Sequence, residues 1–287
     1  MTTLTEQIKL AEKVWLKNSF SFLKEGFTKS PIPSHDHQHH LRVWLNSKFL
    51  LHQIHDLGII IDYDFTEALL LASLFHDSGM LKTYGHDHGL AGRNICSDFL
   101  VNYKKKPALL NEILDAIEKH DDKTYMGPGP LIIDKKTNLL TALNISDDLD
   151  AFGLIGIYRY AEIYLMRGIP LEDLGLKIVA NLAGRFKNFI SNCNNLPEMI
   201  RIHTPRFNEI EEFFRQYNIQ LRQVESESKN HNSDPLSVVK IIYHKALMHQ
   251  DDMENICKRI LSQNEDEYIL KFFGQLKMEI QDQNFEF

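Results

Sequence analysis

Residues 68–75, Ala-Leu-Leu-Leu-Ala-Ser-Leu-Phe, constrain this chain more than any other stretch. A helix that is apolar on nearly all sides has no face to give to water, so it must lie at the centre of the fold. Asp64 followed by Glu67 predicts a capping box at its start. The run stops at His76-Asp77-Ser78-Gly79, where two ionisable side chains emerge from the end of a core element. Burying such a pair is costly unless the groups bind something.

Around this centre the period of the apolar residues is helical throughout. One face of a helix is marked from Glu6 to Leu23 by Ile8, Leu10, Ala11, Val14, Trp15, Phe20 and Phe22. Pro31 and Pro33 close that region, and Ser34 or Asp36 can cap a second helix through Val43, Trp44, Phe49 and Leu50. Further helices are predicted at about 88–103, 109–120, 136–150, 154–166, 171–192 and 206–222. Ile59-Ile60-Ile61 is the one strand-like stretch, too short and isolated to build a sheet. The expected fold is therefore all-α. Residues 1–224 are expected to form the main domain, the polar, turn-rich 225–235 a linker, and 236–287 a helical extension suited either to docking on the main domain or to forming a homodimer.

Composition narrows the function classes. The 287 residues are 43% hydrophobic and 25% charged, ordinary for a globular protein, and no apolar run reaches the roughly 18 residues of a membrane span. A net charge of −7 argues against a phosphate-backbone surface, and Lys104-Lys105-Lys106 is too short to reverse that, so neither nucleic acid nor membrane is an expected partner. Cys96, Cys193 and Cys257 lie far apart with no CxxC pair, and the polar N-terminal residues do not read as an export signal. A reduced cytoplasm is the expected compartment.

Fourteen histidines are the outlier, and crowded histidines direct attention to metal chemistry. The dipeptide His-Asp occurs five times, at 35, 55, 76, 86 and 120, so context must choose among the copies. His76-Asp77 follows the most buried helix, whereas His55-Asp56 is expected to end at the surface. His35 and His39 are expected to share one helix face. His86 and His88 lie in one loop, His120 ends a helix, and Asp147-Asp148-Leu149-Asp150 ends another. His37, His40, His52, His55 and the histidines at 231, 244 and 249 are expected in solvent.

These residues resemble the HD-domain phosphohydrolases, specifically a bacterial branch. Its pattern reads His-Asp-x-x-His-x-x-Arg-Val, then His-Asp, a His-containing loop, a helix-terminal His, and an Asp-rich motif ending Leu-Asp-Ala-x-Gly. Here the matching positions are His35-Asp36 with His39, Arg42 and Val43, then His76-Asp77, His88, His120, and Asp147 with Leu149-Asp150-Ala151-Phe152-Gly153. The resemblance spans about residues 15–220.

It implies an HD helical bundle in which His39, His76, Asp77 and Asp147 bind one divalent transition metal, whether manganese, iron, nickel, cobalt or zinc. It also implies that His88, with His86 as its rival, and His120 bind a second ion bridged by Asp77. Two departures stand out: Ile145-Ser146-Asp147-Asp148 replaces Asp-Ala-Asp-Arg, and Met80 replaces a lysine, which shifts any phosphate role onto Arg42 or Lys82. The implied activity is hydrolysis of a phosphate ester in a nucleotide or related small phosphorylated metabolite, with Asp77 also orienting the attacking water. Two alternatives fit the same residues: a di-iron oxygenase and a non-catalytic nucleotide-binding module. Asp150 is expected beside the site or at the helix end, and His35 and Asp36 either cap the helix or brace the ligands.

Overall fold

The computed structural model describes residues 2–28, 32–85, 87–121, 129–226, 234–246 and 251–282. Helix accounts for 79% of the described residues, and one hairpin of two-residue strands is the whole of the strand content among them, so the fold is all-α. In chain order the helices are α1 (Leu4–Phe27), α2 (His37–Asp56), α3 (Tyr63–Phe75), α4 (His88–Val101), α5 (Leu110–Lys119), α6 (Leu139–Asp150), α7 (Gly153–Met166), α8 (Leu171–Cys193), α9 (Pro197–Ser226), α10 (Pro235–Ala246), α11 (Met253–Gln263) and α12 (Glu267–Asp282). Among the described residues no helix is long and apolar enough to cross a membrane.

The chain forms two compact units. The first comprises residues 1–28, 35–149 and 191–200; the second comprises 29–34, 150–190 and 201–287. In the second, α7 packs on α10 and α12, and α11 on α12, so the C-terminal helices share a unit with residues 150–190. The expected linker falls mostly at positions 227–233, outside the described residues, and α9 runs on to Ser226.

In the first unit α3 is the hub, packed against α1, α2, α4 and α5, as its all-round apolar sequence requires. Every residue from Thr66 to Phe75 is buried. Its cap differs from expectation. Asp62, not Asp64, is the N-cap and accepts from Phe65 N at 2.8 Å. Glu67 is thereby released from a capping box and buried, where it accepts from Trp15 Nε1 at 2.7 Å and from the Tyr63 hydroxyl at 2.9 Å. Ser47 and Ser73 hydroxyls pair at 2.9 Å, tying α2 to α3.

Other boundaries moved for identifiable reasons. Helix α1 starts at Leu4 because Thr3 and Glu6 form a reciprocal capping box, and Leu10 and Val14 fall on its exposed side. Residues 59–61 form no strand; Ile60 is exposed and Ile61 buried. Lys136-Thr137 belong to a hairpin with Ile132-Ile133, turned by Asp134 and Lys135 at φ 49° and 61°, so α6 begins only at Leu139. Pro197 opens α9, a position where its missing N–H costs nothing, and the helix continues through Pro205 instead of starting after it.

Candidate metal centre

The site is built where five helix ends meet in the first unit. His39 lies in the first turn of α2, whose N-cap is Asp36; that carboxylate accepts from Gln38 N at 2.9 Å and His39 N at 3.3 Å. His35 precedes this cap in a separate short turn, so it does not share a helix with His39. The two rings are nevertheless neighbours at 5.5 Å. His76 caps the C-terminus of α3, with Asp77 next to it. His88 opens α4, His120 caps the end of α5, and Asp147 lies in the last turn of α6. Asn46 of α2 donates to the carbonyl of Ser146 at 3.0 Å, which fixes the backbone one residue before Asp147.

Glycines permit these ends to converge. A Cβ on Gly79 would stand 1.8 Å from the His88 carbonyl oxygen, and one on Gly92 would stand 2.9 Å from that of His76. The turn after Asp77 and the start of α4 are therefore in backbone contact, which no larger residue would allow. Gly89 does the same toward α5, where a Cβ would meet Glu118 O at 2.4 Å.

The result is two groups of donors sharing one residue. His39, His76, Asp77 and Asp147 offer ligand atoms all within 4.8 Å of one another, and so do Asp77, His88 and His120. Asp77 divides its oxygens between them. Oδ2 is 3.3 Å from His39 Nε2 and 3.5 Å from His76 Nε2; Oδ1 is 2.9 Å from His120 Nε2 and 3.3 Å from His88 Nε2. Asp147 Oδ1 stands 3.6 and 3.7 Å from the nitrogens of His39 and His76.

Three of the imidazoles are oriented by the backbone. His76 Nδ1 faces the Ser73 carbonyl at 2.9 Å, His88 Nδ1 that of Gly85 at 2.7 Å, and His120 Nδ1 that of Ile117 at 2.7 Å. A carbonyl can only accept, so each Nδ1 carries a hydrogen and Nε2 is the atom left to face the cluster.

The neighbouring carboxylates pull the other way, favouring a proton on the histidines they face, so a cation there would compete with that proton. Burial would raise the Asp77 carboxyl, but His76, His120, His39 and His88 overcome it and hold it well below the usual range. Burial likewise pulls His76 down, and Asp77 and Asp147 more than reverse it. For His88 the balance against burial is tipped by Asp77 and Asp121, to about 9.

These buried His and Asp groups could hold a metal ion. Ligands at about 2.0–2.2 Å from a shared ion stand about 2.8–3.6 Å from one another, close to the 3.1–3.7 Å spacings between the facing atoms of the first group.

Other expected residues fall as follows. Arg42 is buried one turn after His39 in α2, and Lys82 is exposed just past the turn that follows Asp77. Asp150 is fully buried and accepts from Arg159 at 2.9 Å. His86 lies outside the described residues, as do the histidines at 231 and 249. His55 is exposed, as expected.

His40 corrects the reading of a solvated residue. It is wholly buried, its ring 5.2 Å from Phe27, 5.4 Å from His39 and 5.3 Å from His76. Burial, reinforced by the two histidines, keeps it well below its ordinary pKa and hence neutral. Neighbouring His39 and His40 can both be buried only because α2 is enclosed over a wide arc, which its mixed polarity concealed.

One acidic residue went unnoticed in the sequence. Asp121 Oδ2 lies 3.7 Å from His88 Nε2. Its position directly after a candidate ligand, in the fifth His-Asp pair, was the available signal.

Fold and site together define an all-helical protein with a buried His/Asp cluster able to hold metal. Compared with family models, curated proteins and solved structures, the chain gives no match.

Proposed function

We propose that this chain is a metal-dependent phosphohydrolase acting on a nucleotide or a related small phosphorylated metabolite. One observation carries the reading: the oxygens of Asp77 face separate imidazole pairs, so that one carboxylate would serve two groups of metal donors. His39, His76, Asp77 and Asp147 would hold one ion, and Asp77, His88 and His120 a second. A divalent ion held there would lower the pKa of a water from roughly 15.7 toward about 7 and would offset charge on a phosphoryl oxygen.

The chain's own groups do the rest. The backbone carbonyls of Ser73, Gly85 and Ile117 keep the imidazoles aimed inward. Asp77, being held ionised, can accept a hydrogen bond from the attacking water and so orient it. Arg42, buried one turn from His39, and exposed Lys82 are the two candidates to meet a phosphate oxygen.

Metal analysis of the purified protein joined to a phosphate-release screen over nucleotides and sugar phosphates tests the reading. Manganese-dependent release that disappears in Asp77→Ala is the expected result. No release with any metal or substrate would overturn it. The same six donors also suit a di-iron oxygenase, a reading favoured by the shared carboxylate; two irons per chain and substrate-dependent oxygen consumption would select it.

A further inference from the structure

The two donor groups are alike in plan. Each has two imidazoles whose Nε2 atoms face one oxygen of Asp77. The first has in addition a carboxylate of its own, Asp147, with Oδ1 3.6 and 3.7 Å from its histidine nitrogens. In the second, the nearest further carboxylate is Asp121, whose Oδ2 is 3.7 Å from His88 Nε2; it approaches this one histidine and stands outside the set of Asp77, His88 and His120 atoms that lie within 4.8 Å of one another.

Exposure follows the same plan. The side chains of His88, His120 and Asp77 are 2%, 5% and 6% exposed, while Asp121 is 26% and Asp147 17% exposed. The fixed imidazoles thus form the floor of each half, and a carboxylate stands on the side nearer to water. Asp121 is set there by its chain position directly after His120, whose own ring is locked by the Ile117 carbonyl at 2.7 Å.

We propose that Asp121 is the terminal carboxylate ligand of the second ion, so that both halves carry two imidazoles, one terminal carboxylate and the shared Asp77. This rests on the metal reading above. Three carboxylates from Asp77, Asp121 and Asp147 then face two divalent ions, leaving one net positive charge to attract an anionic substrate. Without Asp121 the second ion has three protein donors and a charge poorly compensated in a buried place, so it should bind more weakly than the first.

The test uses the full-length protein, stripped of metal and titrated with Mn2+. Stoichiometry and affinities come from calorimetry, and the coupling between adjacent ions from electron paramagnetic resonance. Wild type should take two ions with a spin-coupled signal. Asp121→Ala should keep the tighter site at unchanged affinity, lose the coupled signal at sub-saturating Mn2+, and bind the second ion at least about ten-fold more weakly. Asp121→Asn preserves shape and should show a smaller loss in the same direction, and it decides the matter should the alanine variant fail to fold. Two ions bound with unchanged affinities in the variants would overturn the role of Asp121 while leaving the metal reading intact. A wild type that takes one ion also overturns it. A wild type that takes none sinks the metal reading itself.

Discussion

His39 Nε2 and His76 Nε2 stand 3.1 Å apart, with both side chains wholly buried. Two bare lone pairs cannot face each other at that distance in a dry interior, so a proton or a cation must lie between them. A divalent cation bound there stabilises the folded chain alone, by about 2.7 kcal/mol at a hundred times Kd. Thermal unfolding in excess Mn2+ is expected to occur at a higher temperature than in chelator. His39→Ala should shrink the difference by removing a donor of the first group while leaving those of the second, and an equal midpoint with and without metal in wild type would count against the site.

Glu67 serves as the buried acceptor for two aromatic donors, Trp15 Nε1 and the Tyr63 hydroxyl. Glu67→Ala leaves both without it, at roughly 1–3 kcal/mol for each unsatisfied group that stays dry. The denaturant midpoint should fall by an amount worth about 2–4 kcal/mol at constant slope. Glu67→Gln keeps an acceptor oxygen and should lose much less. Equal midpoints for the alanine variant and wild type would show that the indole has found another partner.

Gly79 couples packing to the site. Its Cβ would meet the His88 carbonyl oxygen at 1.8 Å, and a backbone atom cannot move aside as a flexible side chain can. Gly79→Ala is therefore expected to displace α4 and weaken metal binding although no donor is changed. Gly184→Ala, where nothing lies within 4 Å of the added carbon, should instead gain about 0.5–1 kcal/mol of stability and bind metal as wild type does. Metal titration of the two variants side by side checks the contrast.

His203 is buried in α9 of the second unit, and its Nδ1 lies 3.2 Å from Arg206 Nη1. Arginine only donates, so Nδ1 accepts and the ring is neutral. Burial, helped by Arg206, takes its pKa down to about 3. A depressed folded value means that the unfolded chain binds the extra proton. The contribution is therefore intact above the unfolded pKa of about 6.5 and is lost as pH falls toward 3, at up to about 1.4 kcal/mol per pH unit. His203→Leu should flatten the fall in stability between pH 6.5 and 4.5 by roughly 2–3 kcal/mol relative to wild type. Parallel pH profiles for the two proteins would refute the assignment.

Read without coordinates, the chain yields its helical class and the central place of residues 68–75, while the full donor set follows only from the resemblance of its order to the HD pattern. The first two depend on period and residue type, which are local properties. His76-Asp77 could be preferred over four other His-Asp pairs because burial of the helix before it is legible in a run of Leu and Ala. The local pattern misled at one cap: Asp64 and Glu67 read as a capping box, but Asp62 is the N-cap and Glu67 accepts from the Trp15 indole. Tertiary structure alone decided that His40 is enclosed, that Asp121 reaches His88, and that the oxygens of Asp77 part between two histidine pairs. Those relations join residues far apart in the chain across distances of a few ångströms. They are set by how closely Gly79, Gly89 and Gly92 let the helix ends approach, a quantity that no local pattern encodes.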